Sequence, residues 1–287
     1  MNITLDMIRD DIERNVRDAL TEDVGDGDIT AELIPASKTD TAEIITREDC
    51  TFCGAAWLTE TFHQLGGLTA IDWHVKDGDS IKANTKLVTL QGNTRTLLTG
   101  ERTAMNFLQL LSGIATKASH YAKLVEGTDI KILDTRKTIP GLRTAQKYAV
   151  NCGGCHNHRI GLFDAYLIKE NHILACGGIQ AAVDTARANN PGKIVEVEVE
   201  SIEELKLALD TGVDIVMLDN FDAGMLGQAD ELERNAKYEV SGNVTTNHVT
   251  KLISFGVNFV STGDLTKNCH AIDLSLRIQA PHQSPRS

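Results

Sequence analysis

The second half of this 287-residue chain alternates short apolar runs of strand type with longer runs of helical spacing. Strands that alternate with helices form βαβ units, and about six of them in succession favour a parallel sheet that curves into an α/β barrel. The interval of roughly twenty residues is short for a complete barrel, so we expect an incomplete one. The predicted strands are 132–135, 165–168, 195–199, 215–219, 238–242 and 259–263.

The first half of the chain has a different pattern, which predicts a smaller unit of mixed structure. Residues 3–20 place their apolar side chains on one face of a helix. Between Thr41 and Leu90, short alternating runs are separated by glycine-containing turns, which is typical of a mostly antiparallel α+β unit. Residues 99–125 predict a long helix with a break near Ser112-Gly113, and Arg102 is expected near the start of that helix.

A basic stretch between Ile130 and His172 stands out in a chain whose formal net charge is -12. Arginine suits bidentate recognition of carboxylate or phosphate, and lysine adds a mobile point charge. Because the carboxyl ends of parallel strands form the ligand crevice of α/β folds, cations that follow two strands should converge on an anion site rather than form a solvated stripe. The cations and histidines of the stretch are Lys131, Arg136, Lys137, Arg143, Lys147, Arg159, Lys169, His156, His158 and His172.

The later strands carry acids and end in glycines and small hydroxyls. Glu196, Glu198 and Glu200 share one face of VEVEVE, and three acids on a buried strand are costly unless they meet cations or a metal. Glycine beside small hydroxyls is typical of barrel phosphate sites, since the backbone N–H groups must approach the anion closely. The polar strand ends are Asp219-Asn220, Ser241-Gly242-Asn243 and Thr262-Gly263-Asp264.

Composition argues against several classes of function. A sequence pI near 5.2 argues against a nucleic-acid partner, which normally requires a basic domain or stripe. The apolar runs are too short to cross a bilayer, and the first residues lack the apolar region of a signal peptide. We therefore expect a soluble, cytoplasmic protein.

Six cysteines in a chain of this size do not suggest a disulfide scaffold, so reduced thiols are the default. Two pairs have CxxC spacing, Cys50–Cys53 and Cys152–Cys155. The second pair lies in CGGCH, the frame of a c-type haem attachment motif, but haem attachment requires export. We expect buried, inert thiols, with a zinc site as the lesser alternative. The zinc alternative uses Cys152, Cys155, His156 and His158 as ligands.

Several motifs, in order over nearly the whole chain, resemble the quinolinate phosphoribosyltransferase family. That family joins pyridine-2,3-dicarboxylate (quinolinate) to phosphoribosyl pyrophosphate with Mg²⁺, releases pyrophosphate and CO₂, and forms nicotinate mononucleotide for NAD biosynthesis. The resemblance implies an N-terminal α/β sandwich over 1–112, packed with the tail 270–287, then an α/β barrel over 113–269, in a homodimer with a shared active site. The motifs are ALTEDVGDGDIT, TGERTAMNFLQLLSGIAT, DTRKTIPGLR, HNHRIGLFDAYLIKENHI, VEVEVES, VMLDNF, EVSGN and STGDLT.

The resemblance also implies roles for individual residues. Glu198 and Asp219 are expected to hold the ribose hydroxyls and the Mg²⁺, and with Lys137 and Lys169 they form the catalytic set. Arg102 is expected to enter the active site of the neighbouring subunit. The dicarboxylate pocket is lined by Arg136, His158, Arg159 and Lys169, and Lys137 lies near the pyrophosphate. The 5′-phosphate site is Ser241, Gly242, Asn243 and Gly263, and Thr135, Thr262 and Asp264 complete the substrate-binding set.

Two alternatives come from the residues themselves. A class I aldolase-type barrel would use Lys169 as a Schiff base and would need no arginine pair for a dicarboxylate. A non-catalytic metal or haem protein would be built on Cys152 and Cys155, and CGGC is also where the chain departs from the family, whose loop is usually glycine-rich without cysteine.

Overall fold

The computed structural model describes residues 2–242 and 246–279, and the chain divides into two compact units. The first, which we name the sandwich unit, consists of Asn2–Ser119, Ile139–Gly154 and the segment that begins at Cys269. The second, the barrel unit, consists of His120–Thr138 and Cys155–Asn268. The chain therefore leaves the sandwich unit and returns to it twice.

The regular elements are numbered here in chain order. Short 3-10 turns occur at Leu5–Ile8, Ala31–Leu33 and Ile253–Phe255. The helices are α1 (Arg9–Val24), α2 (Ala55–Gln64), α3 (Thr94–Leu124), α4 (Arg143–Cys152), α5 (Glu170–Cys176), α6 (Ile179–Asn189), α7 (Ile202–Asp210), α8 (Ala223–Asp230), α9 (Thr246–Leu252) and α10 (Asp264–Lys267). The strands are β1 (Thr39–Thr46), β2 (Cys50–Thr51), β3 (Ala70–Trp73), β4 (Ser80–Ile81), β5 (Lys86–Asn93), β6 (Lys131–Leu133), β7 (Tyr166–Ile168), β8 (Val195–Val199), β9 (Ile215–Asp219), β10 (Lys237–Ser241), β11 (Phe259–Ser261) and β12 (Leu274–Ile278).

The sandwich unit is built on a four-stranded antiparallel sheet in the order β12-β1-β5-β3. Its strands alternate buried and more exposed residues, so one face of the sheet packs on an apolar core that includes Phe52, Phe62, Leu90 and Leu108. The antiparallel α+β pattern predicted from the sequence is confirmed. Residues 280–287 of the expected C-terminal tail lie outside the described residues.

Helix α3 runs without interruption, so the predicted break at Ser112-Gly113 is wrong. Gly113 serves another purpose, because a Cβ there would lie 1.8 Å from the carbonyl oxygen of His270. The glycine therefore admits the close approach of a neighbouring backbone, which periodicity along one helix cannot reveal. The helix also begins at Thr94, so Arg102 lies about two turns inside it and not near its start.

The barrel unit is built on six parallel strands in the order β6-β11-β10-β9-β8-β7. No ladder joins β6 to β7 within the described residues, so the predicted incomplete parallel barrel is confirmed. The carboxyl ends of all six strands lie at one edge of the sheet, because the strands are parallel. Among the described residues, no helix is long and apolar enough to span a membrane.

Candidate active site

A cavity of ≈ 650 Å³ lies at the carboxyl ends of the barrel strands. It gathers side chains from the ends of all six strands of the sheet together with the segment that contains His158 and Arg159. The pocket therefore has the place in the fold that α/β barrels use for catalysis. Of the predicted site residues it brings together Thr135, Arg136, Lys137, His158, Arg159, Lys169, Glu198, Asp219, Ser241, Gly242, Thr262, Gly263 and Asp264.

The loop after β6 supplies two of the cations. The backbone N–H of Lys137 donates to Thr135 Oγ1 at 3.0 Å, and Thr266 Oγ1 donates to the Lys137 carbonyl at 2.9 Å, so the loop is held at both sides of Lys137. The Nε atom of Arg136 is buried and has no hydrogen-bond partner among the described residues. A buried guanidinium N–H without a partner is costly, so Arg136 is prepared for an acceptor from a ligand.

His158 is held by a buried carboxylate that sequence reasoning missed. Asp134 is fully buried and accepts hydrogen bonds from the His158 backbone N–H at 2.9 Å and from Asn157 Nδ2 at 2.7 Å. The Arg159 backbone N–H donates to His158 Nδ1 at 2.8 Å, which leaves the ring proton on Nε2. Asp134 directly follows β6, and this position at a strand end was the available signal.

Arg159 lies partly buried, and its Nη1 donates to the Ala165 carbonyl at 3.2 Å. Burial, followed by the nearby charge of Arg136, lowers the pKa of Arg159 from its ordinary value. The two guanidinium groups thus repel each other in the absence of an anion. A dicarboxylate between them would remove that repulsion, since opposite charge favours the ionised form.

Lys169 and Glu198 join the cationic and acidic sides of the pocket. Lys169 lies between β7 and α5, and its Nζ forms an ion pair with Glu198 Oε2 at the end of β8. The backbone N–H of Lys169 also donates to His172 Nδ1 at 3.0 Å, so His172 caps α5. An ammonium group in an ion pair is not a nucleophile, which argues against the aldolase alternative.

The end of β9 has a strained turn beside the next strand. Asn220 has a φ of 55°, and its Nδ2 donates to Asp219 Oδ2 at 2.9 Å. A Cβ on Gly242, whose φ is 94°, would lie 2.3 Å from Asn220 Oδ1. Only glycine therefore fits at the end of β10, and the backbone stays open toward the pocket.

The end of β11 also has a glycine that allows a neighbouring side chain to approach closely. A Cβ on Gly263 would lie 2.8 Å from Lys137 Cδ, so this glycine lets the Lys137 side chain pass close to the backbone. Both carboxylate oxygens of Asp264 accept internal hydrogen bonds, from Tyr121 Oη at 3.0 Å and from Asn268 Nδ2 at 2.6 Å. Part of the role of Asp264 is thus to hold this corner of the pocket.

Two buried acids, Glu196 and Glu239, lie below the pocket on the inward faces of β8 and β10. Glu196 precedes Glu198 by two residues, and Glu239 precedes Ser241 by two, so each shares a face with a residue that lines the pocket. The side chains of Glu196 and Glu239 are 3% and 0% exposed, and both lie against His158 Nε2. Sequence reasoning missed Glu239, although its period-2 relation to Ser241 was a usable signal.

Not every predicted residue belongs to this pocket. Glu200 lies beyond β8 and is exposed, so of the three acids only Glu196 and Glu198 face the barrel interior. Arg102 is exposed on α3 in the sandwich unit, and Asn243 lies outside the described residues. Arg143 and Lys147 belong to α4, which the sequence did not predict, and Lys147 is fully buried.

The cysteines of CGGC do not form the zinc cluster that was the lesser alternative to inert thiols. Within the described residues, the groups with metal-ligand spacing are Cys53, Asp77 and Cys152 in the sandwich unit and His158, Glu196 and Glu239 in the barrel unit. Neither group contains Cys155, a buried thiol whose pKa burial raises to about 12. The zinc set built on Cys152, Cys155, His156 and His158 is therefore wrong.

A pocket lined by five lysines and arginines together with carboxylates, at the open end of a parallel barrel, defines an α/β-barrel enzyme for anionic substrates. Family models agree with this class: residues 28–112 match the N-terminal domain of quinolinate phosphoribosyl transferase, and residues 114–277 match its C-terminal domain. The chain belongs to the quinolinate phosphoribosyl transferase family, and it is an enzyme of the pentosyltransferase class.

Individual relatives agree over nearly their whole length. The chain is 38% identical to a probable nicotinate-nucleotide pyrophosphorylase [carboxylating] of Bacillus subtilis, over 92% of each chain. The solved nicotinate-nucleotide pyrophosphorylase of Francisella tularensis is 47% identical, with a TM-score of 0.89 over 94% of this chain and 96% of that one. NadC of Streptococcus pyogenes is 35% identical, with a TM-score of 0.90 over 98% and 100%.

Proposed function

We propose that this enzyme transfers the phosphoribosyl group of phosphoribosyl pyrophosphate to quinolinate, with loss of the 2-carboxylate, and so forms nicotinate mononucleotide, pyrophosphate and CO₂ in NAD biosynthesis. The activities named for its relatives support this reaction. The observation that carries the proposal is the pocket itself, which combines five lysines and arginines, two open carboxylates and two glycine-bearing strand ends. A dianionic pyridine and a polyanionic sugar phosphate need such a set of charges to occupy one pocket.

The dicarboxylate end of the pocket is assigned to the cations of the first strand ends. Arg136 offers its unpartnered Nε, and Arg159 is the second bidentate donor for a carboxylate. His158 shapes this wall by fixing the Arg159 backbone. Lys169, which is paired with Glu198, adds a further positive charge at the quinolinate end of the pocket.

The sugar phosphate end is assigned to the later strands. Ser241, Gly242, Thr262 and Gly263 present small side chains and open backbone to the pocket, as a 5′-phosphate requires. Lys137, which passes beside Gly263, is then near the pyrophosphate that must leave. The expected contact of Asn243 with the same phosphate stays a prediction from the sequence.

Glu198 and Asp219 are proposed to stabilise the ribose during transfer. The bond to pyrophosphate breaks as the ring nitrogen attacks the anomeric carbon, and positive charge builds up on the sugar. Carboxylates at neighbouring strand ends lower the energy of that charge. After transfer the alkylated ring nitrogen is an electron sink, so loss of the 2-carboxylate needs no pyridoxal or thiamine cofactor.

The same two carboxylates fit Mg²⁺. This ion prefers oxygen ligands and is usually held by one or two carboxylates together with substrate phosphates. Glu198 and Asp219 each use one oxygen internally, on Lys169 and Asn220, and each keeps one for a metal. When Mg²⁺ is bound together with phosphoribosyl pyrophosphate, it would neutralise part of the negative charge of the pyrophosphate group.

A homodimer with a shared active site is proposed from the resemblance and from the exposed position of Arg102. Mixing Arg102→Ala subunits with Arg136→Ala subunits tests it. Each homodimer should be nearly inactive, whereas a mixed dimer has one site with both native arginines and should recover up to roughly half the activity, because a two-fold interface builds two equivalent sites. Proven subunit exchange without recovery would mean that Arg102 serves its own subunit. Cytoplasmic location stays a prediction from the sequence.

The reaction itself is tested by formation of nicotinate mononucleotide from quinolinate, phosphoribosyl pyrophosphate and Mg²⁺. Product and CO₂ should appear in equal amounts. Nicotinate, which lacks the 2-carboxylate, is the matched control substrate and should give no product. Absence of product with quinolinate would refute the proposed function.

A further inference from the structure

We propose that Glu239 is a positioning residue of this active site: it holds a proton, and this lets Glu196 orient His158 without a second negative charge beneath the anion pocket. The inference rests on the proposed function, because it takes quinolinate as the anion. Glu239 touches no pocket surface, since its side chain is 0% exposed, and it acts through His158.

The hydrogen-bond inventory around His158 gives the first reason. Nδ1 accepts from the Arg159 backbone N–H, so the neutral ring has one donor left, at Nε2. That single donor lies 3.0 Å from Glu196 Oε2 and 3.5 Å from Glu239 Oε1. It therefore satisfies Glu196 and leaves Glu239 without a hydrogen bond of normal length.

The remaining acceptors give the second reason. Glu196 Oε1 and both carboxylate oxygens of Glu239 are buried and lack a hydrogen-bond partner in the part of the chain that the structure describes. Ligand atoms of His158, Glu196 and Glu239 lie within 4.8 Å of one another. A proton on Glu239 supplies the missing donor to this cluster, whereas two ionised carboxylates would leave several buried acceptors unpaired.

The charges that face Glu239 are few. Across β10, Glu196 approaches from β8 and His158 from the segment after β6, while β9 presents Met217 in register and β11 contributes Ser261, which carries no charge. No arginine or lysine forms an ion pair with Glu239 among the described residues. Burial, and then the charge of Glu196, raise the pKa of Glu239 to about 8. A positive charge on His158 would lower this pKa, but the ring is neutral when its Nδ1 accepts from the Arg159 N–H, and the Ser261 hydroxyl lowers it to a smaller extent.

This arrangement has a consequence for substrate binding. Below its raised pKa Glu239 is neutral, and the pocket keeps the full effect of its five lysines and arginines. Above that pKa the carboxylate ionises under His158 and weakens the attraction for a dianion. Binding of quinolinate should therefore favour the protonated form of Glu239, and the KM for quinolinate should rise with pH above 8.

The pH dependence of the quinolinate KM in the full-length enzyme tests this role. In the wild type the KM should rise above pH 8, by at most about tenfold per pH unit. Glu239→Gln keeps a neutral hydrogen-bonding group, so its KM should change less than about twofold between pH 7 and 9. Glu233→Gln, at an exposed position in the same unit, is the matched control and should follow the wild type. An alkaline KM rise that is the same in Glu239→Gln and in the wild type would overturn the proposal.

A second measurement needs only the wild type, in case Glu239→Gln does not fold. Calorimetric titration of quinolinate at pH 8.5 in two buffers of different ionisation enthalpy reports protons taken up on binding. We expect a net uptake of part of one proton, and zero uptake would overturn the role of Glu239. Failure of the proposed function is distinct, since quinolinate would then not bind or react at any pH.

Discussion

The two units differ in what their sheets bury. The antiparallel sheet of the sandwich unit packs on an apolar core in which Phe62 and Leu90 are fully buried. The parallel sheet of the barrel unit buries ionisable groups on its inward face, among them Glu196 and Glu239. Burial of a carboxyl group costs stability, whereas burial of leucine contributes it. The core under the antiparallel sheet is therefore organised for stability, whereas the inward face of the parallel sheet gives up stability to hold a charged site.

The sharpest test of this contrast is Arg159→Ala. We expect quinolinate binding to weaken by about 2–5 kcal/mol, because a bidentate carboxylate partner is lost in a partly desolvated pocket. The unfolding temperature should change little, since the side chain makes one hydrogen bond to Ala165. Calorimetric titration and thermal melts separate the two effects. Arg9→Ala, at an exposed arginine, is the control. Unchanged affinity for quinolinate would remove Arg159 from the site.

A core substitution in the sandwich unit should lower stability and leave substrate binding unchanged. Leu90→Ala is expected to lower the free energy of unfolding by about 2–5 kcal/mol, because it leaves a cavity in a packed core. The KM values of the protein that remains folded should not change. Leu33→Ala, at a leucine that is 84% exposed, should affect neither quantity. The contrast between the units fails if Leu90→Ala changes the quinolinate KM more than the stability.

Stability as a function of pH gives a smaller but distinctive effect. The folded pKa of Glu239 is raised above its unfolded value, so the stability of the wild type is highest below the unfolded value and falls as pH rises to about 8. Because glutamine does not ionise, Glu239→Gln should not lose this stability as the pH rises. The variant should melt at a higher temperature than the wild type at pH 8, by roughly a few degrees, since 1 kcal/mol shifts the Tm by about 2–4 °C in chains of this size.

The difference between Glu239→Gln and the wild type should nearly vanish at pH 4, where both unfolded and folded Glu239 are protonated. Melts of both proteins over this pH range measure it. Glu233→Gln should show no such trend. A pH-independent difference would mean that the pKa of Glu239 is the same in the folded and the unfolded protein.

The smallest effect is expected for the cysteines of CGGC. Cys152→Ser with Cys155→Ser should keep most of the activity under reducing conditions, because Cys155 is a buried thiol of raised pKa and neither residue lines the pocket. Initial rates and metal analysis of both proteins check this. A collapse of activity accompanied by loss of a bound metal would show that these thiols have a metal-binding role.

Much of the barrel was accessible to sequence reasoning, because its signals are local. Strands β8 and β9 have the predicted bounds, since alternation or an apolar run between polar ends marks them clearly. Helix α4 and the burial of Lys147 were missed because basic residues around a CxxC spacing resemble a loop. The acids Asp134 and Glu239 were missed because their importance comes from partners distant in the chain.

The sequence by itself determined that parallel strands would end in cations, acids and glycines, because the two-residue period of a strand decides which side chains share its inward face. Only the tertiary structure decided which of those groups meet. Arg136, Arg159 and Lys169 line one pocket, while Arg143 and Lys147 belong to the other unit. The same holds for the proton on Glu239, since burial and neighbouring charges set a pKa, and both depend on contacts between strands far apart in the chain.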